Sequence, residues 1–215
     1  PVILDRATSY IGVMIDDLTL QGVTEPYRML TARAEFRLSL RADNAETRLG
    51  EIAQTAGCVG EERRAHQQAR HADRASIRAA METQITSSTL AVRGIAVAQD
   101  GARRSIFDWL RLPHIGWADL AAVDADRWPA ALVAEVVEDA RYAPYLDRQA
   151  DEIARMRRDE AIALPDSLAF EEIAGLSNEM LDRLARTRPT SLAAAARIRG
   201  ITPAALSAIY LHVQR

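Results

Sequence analysis

Two groups of arginines stand where guanidinium chemistry could be organised. The first is Arg28, Arg33, Arg37 and Arg41, with Tyr27 beside them. In a helix from about 31 to 40, the last three fall at i, i+4 and i+8 and form one stripe. Guanidinium forks match phosphate oxygens in pairs. An amphipathic helix whose polar face pairs with Asp16, Asp17, Glu25 or Glu35 also accounts for this spacing, and on spacing alone accounts for it better. The second group lies in Ala196-Arg197-Ile198-Arg199-Gly200-Ile201-Thr202-Pro203. A helix that stops at Gly200, followed by one capped by Thr202, would offer free N–H groups and a positive helix end to a phosphate between two arginines. A tight turn between packed helices, with Ile198 and Ile201 in the core, is the alternative; the two readings stand level.

Other chemistry is thin. No G-x-G-x-x-G, P-loop or G-x-S-x-G occurs. His66 and His71 are five apart and face different ways on a helix, which makes a poor metal pair. His114 and His212 are isolated. Adjacent Asp16 and Asp17 diverge on a helix and make no obvious acid/base pair. Cys58, the only cysteine, reads as a buried apolar thiol rather than a nucleophile. No catalytic, cofactor-binding or metal-binding residue is therefore expected in this chain.

The charge distribution supports binding at one end. Formal net charge is −3, which gives no global attraction to nucleic acid. Residues 180–215, however, hold six arginines (Arg183, Arg186, Arg188, Arg197, Arg199, Arg215) against Asp182 alone. That asymmetry points to a polyanionic or acidic partner. All 27 basic residues are arginine, so the choice of Arg over Lys at one site carries little information. A lone cysteine suits a reducing compartment, and no apolar run approaches the ~18 residues of a membrane span.

The elements that must position these residues read as helices, and the class is all-α. Apolar residues are 48% of 215, aromatics only 5%, so aliphatic side chains must build the core. Ser9 caps a helix with Ile11, Met14, Ile15 and Leu18 on one face, ending at Gly22. Thr31 caps a short helix to about Leu40, although Phe36, Leu38 and Leu40 alternate. Asp43-Asn44 cap a helix that Gly57 stops. Residues 60–84 form a charged helix with a seam of Ala65, Ala69, Ala72 and Ala79. Residues 85–104 lack a period. Short helices follow near 105–111 and 117–123. Pro129 starts a helix with Val133, Val136, Val137 and Ala140 on one side, running towards Arg158 with a kink or break at Pro144. Beyond Pro165, Ser177, Thr190 and Thr202 cap three helices, the last with Leu206, Ile209, Tyr210 and Val213 inward. Pro1 to Arg6 read as a strand-like stub.

These motifs, in this order, resemble one family. Ser9–Leu18, Glu25-Pro-Tyr-Arg-Met29, Thr31-Ala-Arg-Ala-Glu-Phe-Arg-Leu38 and Arg41-Ala-Asp-Asn-Ala45 are similar to the C-terminal region of the GidA/MnmG tRNA-modification flavoproteins. Tyr142-Ala-Pro-Tyr-Leu-Asp-Arg-Gln149 with Glu152-Ile153, Gly175-Leu-Ser-Asn-Glu179 and Arg197–Ala205 continue the match; residues 85–128 are not recognisable. Departures are Ala32, Phe36, Ser39 and Ala42, where the family has Ser, Tyr, Leu and Glu, and Pro144, where Gly is usual. Cys58 matches no family cysteine.

The resemblance implies residues 1–44 as the closing segment of an FAD domain and linker, 45–162 as a helical domain, and 163–215 as a three-helix subdomain. It implies a cytoplasmic parent enzyme that modifies C5 of the tRNA wobble uridine, using FAD, NADH and a folate donor, as a homodimer working with the GTPase MnmE. It places Arg28, Arg33, Arg37 and Asn44 at tRNA or the active-site wall. It places Arg148, Glu179, Arg197, Arg199, Gly200 and Thr202 at tRNA or MnmE. The competing expectation is a helical support whose arginines pair internally, with no RNA contact.

Overall fold

The computed structural model describes residues 2–23, 25–120 and 127–214. Among them the chain is helical, with one pair of three-residue strands. Two compact units divide it: Ile3–Arg37 with Arg148–Arg215, and Leu38–Asp147.

The unit Leu38–Asp147 is built on α2 (Ala45–Thr55), α3 (Glu61–Met81), β1 (Gln84–Thr86), α4 (Ser87–Val92), β2 (Arg103–Ser105), α5 (Ile106–Trp109), α6 (Trp117–Leu120) and the first part of α7 (Ala130–Glu160). β1 and β2 are antiparallel, with Gln84 opposite Ser105 and Thr86 opposite Arg103. Residues 85–104, which lack a period in the sequence, hold α4 and are bounded by these strands at either end. Ser105 and Thr86 cap the helices that follow each strand, so each strand hands directly over to a helix. Trp109 Nε1 donates to the Ile85 carbonyl at 3.0 Å. The core gathers Ile77, Met81, Leu90, Trp109, Leu110, Ile115, Leu120, Leu132 and Val136. Each such aliphatic side chain contributes about 1.5–3 kcal/mol on burial.

α3 corrects one expectation. Its alanine seam faces solvent; the inward positions are Gln67, Ile77 and Met81, with Arg70 and Arg74 half-buried between them. Those arginines reach Glu135, whose side chain is fully buried on α7, and Arg74 also reaches Asp139. Thr47 donates to Glu135 Oε1 at 2.7 Å. A buried carboxylate needs such partners to stay charged, so α2, α3 and α7 meet around an ionic centre. α7 also runs unbroken through Pro144; the exposed ring removes one backbone N–H without ending the helix. The 121–123 end of the expected 117–123 helix lies outside the described residues.

The unit Ile3–Arg37 with Arg148–Arg215 contains α1 (Tyr10–Gln21), the end of α7, α8 (Asn178–Thr187), α9 (Leu192–Arg197) and α10 (Pro203–Val213). Its core is Leu164, Phe170, Ile173, Leu184, Ala195, Ile198 and Ile209. Ser9, Ser177 and Thr202 cap α1, α8 and α10 through their hydroxyls. The cap of α9 is Ser191, not Thr190. No strand forms over residues 2–6; Asp5 makes a turn instead, accepting from the N–H groups of Ala7 and Thr8. Tyr210 is half-exposed rather than inward.

Candidate nucleic-acid interface

The expected helix over 31–40 is absent. Only a single 3-10 turn, Thr31–Arg33, forms, followed by further turns. Ala34, Phe36 and Leu40 are buried while Glu35 and Arg37 are exposed, so a run of turns, not a helix, buries the apolar side chains here and the 3.6-residue spacing of the arginines is not realised. The stripe of Arg33, Arg37 and Arg41 therefore does not exist as one face. Arg33 stacks 4.7 Å from the centre of the Tyr27 ring and donates from Nε to the Arg28 carbonyl at 3.0 Å. Arg28 and Arg37 are exposed. Arg41 belongs to the other unit, where it holds Asp43 and, at 2.7 Å, Asp139; burial lowers its pKa, but these carboxylates raise it further. Asn44 begins α2 without capping it through its side chain. Its amide instead donates to the Ser39 carbonyl and accepts from Arg48.

An arginine that sequence reasoning passed over organises this region. Arg6 is 8% exposed. Its guanidinium grips Glu35 at 2.9 and 2.8 Å, Asp17 at 2.6 Å and Asp16 at 3.0 Å, and donates to the Arg33 carbonyl at 3.1 Å. Asp17 accepts in turn from the Tyr27 hydroxyl at 2.8 Å. Burial alone would raise the Glu35 pKa; the hydrogen bonds from Arg6 outweigh it and hold the carboxyl below its ordinary range. The same competition holds Asp5 down through Thr8 and Arg157. Asp16 and Asp17 do not diverge as expected: an oxygen of each lies on the same Arg6 nitrogen, Nη1, at 3.0 and 2.6 Å.

Arg197 joins this network. Its Nε and Nη2 take both oxygens of Asp16 at 2.8 Å, and Nη2 lies 2.7 Å from Glu160. Glu160 also accepts from Ser191, the cap of α9, at 2.6 Å. The Arg197 guanidinium is committed to carboxylates of its own unit.

Arg199, two residues on, is exposed, and no ion pair engages it among the described residues. Gly200 has φ 88°, the left-handed region where glycine is favoured. Arg183 reaches across from α8, donating to the Arg199 carbonyl and pairing with Glu179 at 2.6 Å. The N-terminus of α10 offers an anion less than expected: the Thr202 hydroxyl already accepts from Ala205 N–H, and Pro203 has no N–H. Cationic side chains dominate instead. Arg183, Arg186 and Arg199 line one open cavity of about 790 Å³ with Thr19, Gln21, Glu179 and Asp182. Arg186 lies 3.8 Å from Asp182 and is mostly exposed. Arg148 is exposed on α7. Arg186 carried a signal in the basic tail; Arg183 carried one in its spacing four residues after Glu179.

The remaining reactive types give no centre. Cys58 is exposed rather than buried, its thiol 3.3 Å from the Ala53 carbonyl, because Gly57 at φ 73° turns the chain outward at the end of α2. His66 lies 3.2 Å from Glu46. Among the described residues no group of three His, Cys, Asp or Glu could hold a metal, and no helix is long and apolar enough to cross a membrane.

Comparison with known proteins agrees across the chain. Residues 61–150 match the family described as tRNA modifying enzyme MnmG/GidA C-terminal helical domain, and residues 152–215 match the C-terminal helical bundle of the same enzyme. The tRNA uridine 5-carboxymethylaminomethyl modification enzyme MnmG of Zymomonas mobilis is 47% identical over 217 residues, and that of Granulibacter bethesdensis 44% over 222. Both alignments cover all of this chain. Two crystal forms of Aquifex aeolicus GidA superpose with TM-scores of 0.80 and 0.75 at 29% and 28% identity, over 100% and 99% of this chain and 34% and 33% of theirs. The chain spans about a third of the length of the curated relatives it matches. With its helical architecture and both family matches in order, the chain belongs to the MnmG/GidA family and corresponds to that family's C-terminal helical region.

Proposed function

We propose that this chain is the tRNA-binding and GTPase-binding module of a wobble-uridine C5 modification enzyme. The observation that carries the reading is the convergence of Arg183, Arg186 and Arg199 on one cavity. Arg186 and Arg199 remain available to phosphate oxygens; Arg183 holds the turn that presents Arg199. Exposed Arg28 and Arg37 are the remaining candidates on the N-terminal segment. Glu179 sets the position of Arg183, and Arg148 offers a further cation.

FAD, NADH, the homodimer and the GTPase MnmE belong to the reading of the whole cytoplasmic enzyme. A dinucleotide cradle needs parallel strands and a glycine-rich turn into a helix. Among the described residues the two strands are antiparallel and three residues long, so they supply no such cradle for the flavin.

The test is tRNA binding by the chain at several salt concentrations. Each lost phosphate contact flattens the log–log slope by roughly 0.7–0.9. Arg186→Ala with Arg199→Ala is expected to lower the slope by about 1.5 while the circular dichroism spectrum stays unchanged. An unaltered slope removes the cavity as an RNA site. If the double variant instead loses MnmE and keeps tRNA, the cavity is a protein contact. A purely supportive role is favoured by one observation, the internal pairing of Arg197; it predicts no tRNA binding at any salt.

A further inference from the structure

The unit Leu38–Asp147 has its own open cavity, of about 620 Å³, bordered by α2, α3, α5 and α7. That volume suits a small-molecule site. Four arginines line it: Arg48 on α2, Arg74 and Arg78 on α3, and Arg111 just past α5. Arg74 is committed to Glu135 and Asp139. Arg48 donates to the Asn44 side chain and to the Arg41 carbonyl.

Arg78 stands differently. Its guanidinium lies 3.7 Å from the centre of the Phe107 ring, and that of Arg111 5.8 Å from the same centre. Nη1 of Arg78 is buried and has no acceptor among the described residues; the Glu82 carboxylate stands 3.7 Å from Nη2, too far for a hydrogen bond. A buried charged donor calls for an acceptor. Two guanidiniums gathered at one ring also repel each other, which an anion beside them relieves.

Net charge does not choose the ligand, because Glu82, Asp108, Asp139 and Asp147 border the same cavity. Asp139 is taken by Arg41 and Arg74, and Asp108 by Arg111 and Ser105. Asp147 is exposed and has no partner among the described residues. The cavity therefore presents an unmet donor at Arg78 and an unmet acceptor at Asp147. A ligand that meets both carries an anionic group and hydroxyl donors on one molecule. A nucleotide does: its phosphate oxygens match guanidinium forks, and its ribose hydroxyls donate to a carboxylate. Phe107 supports the Arg78 guanidinium.

We propose that this cavity binds a nucleotide, its phosphate held by Arg78 and Arg111 and its ribose by Asp147. The same groups recognise a free nucleotide and one within an RNA chain. The site lies in a different unit from the Arg183 cavity and does not rest on the reading of that cavity.

Calorimetric titration of the chain with adenosine monophosphate at fixed ionic strength tests it, with adenosine as the control. Saturable binding is expected, competed by inorganic phosphate, with adenosine weaker by at least about tenfold. Arg78→Ala and, separately, Arg111→Ala should each weaken it roughly tenfold, as loss of a charged hydrogen bond does. Arg111 is half-exposed, so its variant keeps the test decisive if Arg78→Ala disturbs packing on Phe107. Arg186→Ala with Arg199→Ala should leave this binding unchanged. If the mononucleotide does not bind but Arg78→Ala with Arg111→Ala flattens the salt dependence of tRNA binding by roughly 0.7 or more, the nucleotide is one within an RNA chain. Absence of both effects overturns the proposal. Equal affinity for adenosine and its monophosphate overturns it as well, as does mononucleotide binding that survives both the Arg78 and the Arg111 substitution.

Discussion

Arg197 and Arg199 sit two residues apart and serve different ends. Arg197 makes a bidentate pair with Asp16 and a second contact with Glu160, while Arg199 extends into solvent beside Arg186. Removing one partner of a buried pair costs about 3–5 kcal/mol, chiefly by stranding the other charge. The Arg197 side chain keeps 20% exposure, which discounts this to about 2 kcal/mol. Arg197→Ala should therefore lower the urea midpoint clearly, and Arg197→Lys should not restore it, because an ammonium cannot make the two parallel bonds. Arg199→Ala should stay within about 0.5 kcal/mol, as surface substitutions do. Equal stability losses for the two alanine variants would contradict this division. Neither outcome was legible in the sequence. Arg197 finds Asp16 across 181 positions, and both arginines occupy similar places in a basic tail. Only the folded chain brings Asp16, Glu160 and Ser191 to one of them.

Helix termini were legible because capping is local. Ser9, Ser177 and Thr202 each accept from an N–H three residues on, and the hydroxyl, the spacing and the following apolar residues are all visible in the chain. Errors arose where a distant partner decided which face turns inward. α3 buries Gln67 against Gly50 and Gln54 of α2 and half-buries Arg70 and Arg74 because Glu135 and Asp139 await them on α7; the alanines, apolar by type, are left outside. α1 turns Ile11, Ile15 and Leu18 outward for the complementary reason, that its polar side is bonded. In α7 the expected break at Pro144 is overridden by packing, since Val133, Val136, Val137, Ala140 and Ala143 are all buried on the preceding turns. Proline still denies the Ala140 carbonyl its i+4 donor. Pro144 is exposed, so Pro144→Ala can restore that bond without filling space. It should raise stability by on the order of 1 kcal/mol, read as an upward shift of the urea midpoint at constant m-value.

At the scale of the molecule, a net charge of −3 conceals how the charges are spent. Arg6, Arg33, Arg157 and Arg197 neutralise Asp5, Asp16, Asp17, Glu35 and Glu160 in one unit; Arg41, Arg70 and Arg74 meet Asp43, Glu46, Glu135 and Asp139 in the other. Seven of the 27 arginines are spent in these pairings, and Arg183, Arg186 and Arg199 are not among them, which is why composition alone understated the basic cavity. The same pairings make the first unit sensitive to acid. Glu35 and Asp5 have folded pKa values below their ordinary 4.5 and 3.8. Between its folded and unfolded pKa each carboxyl binds more protons unfolded than folded, so stability rises with pH there. Their contribution is complete above about pH 5 and is lost as the pH falls through the depressed folded values. Thermal midpoints of the chain measured from pH 7 to pH 3 should hold down to about pH 5 and then decline. Glu35→Gln keeps the shape but not the charge that Arg6 grips. It should start from a lower midpoint at pH 7 and decline less steeply on acidification. A parallel decline in both proteins would remove Glu35 as the source of the acid sensitivity and leave Asp5, held down by Thr8 and Arg157.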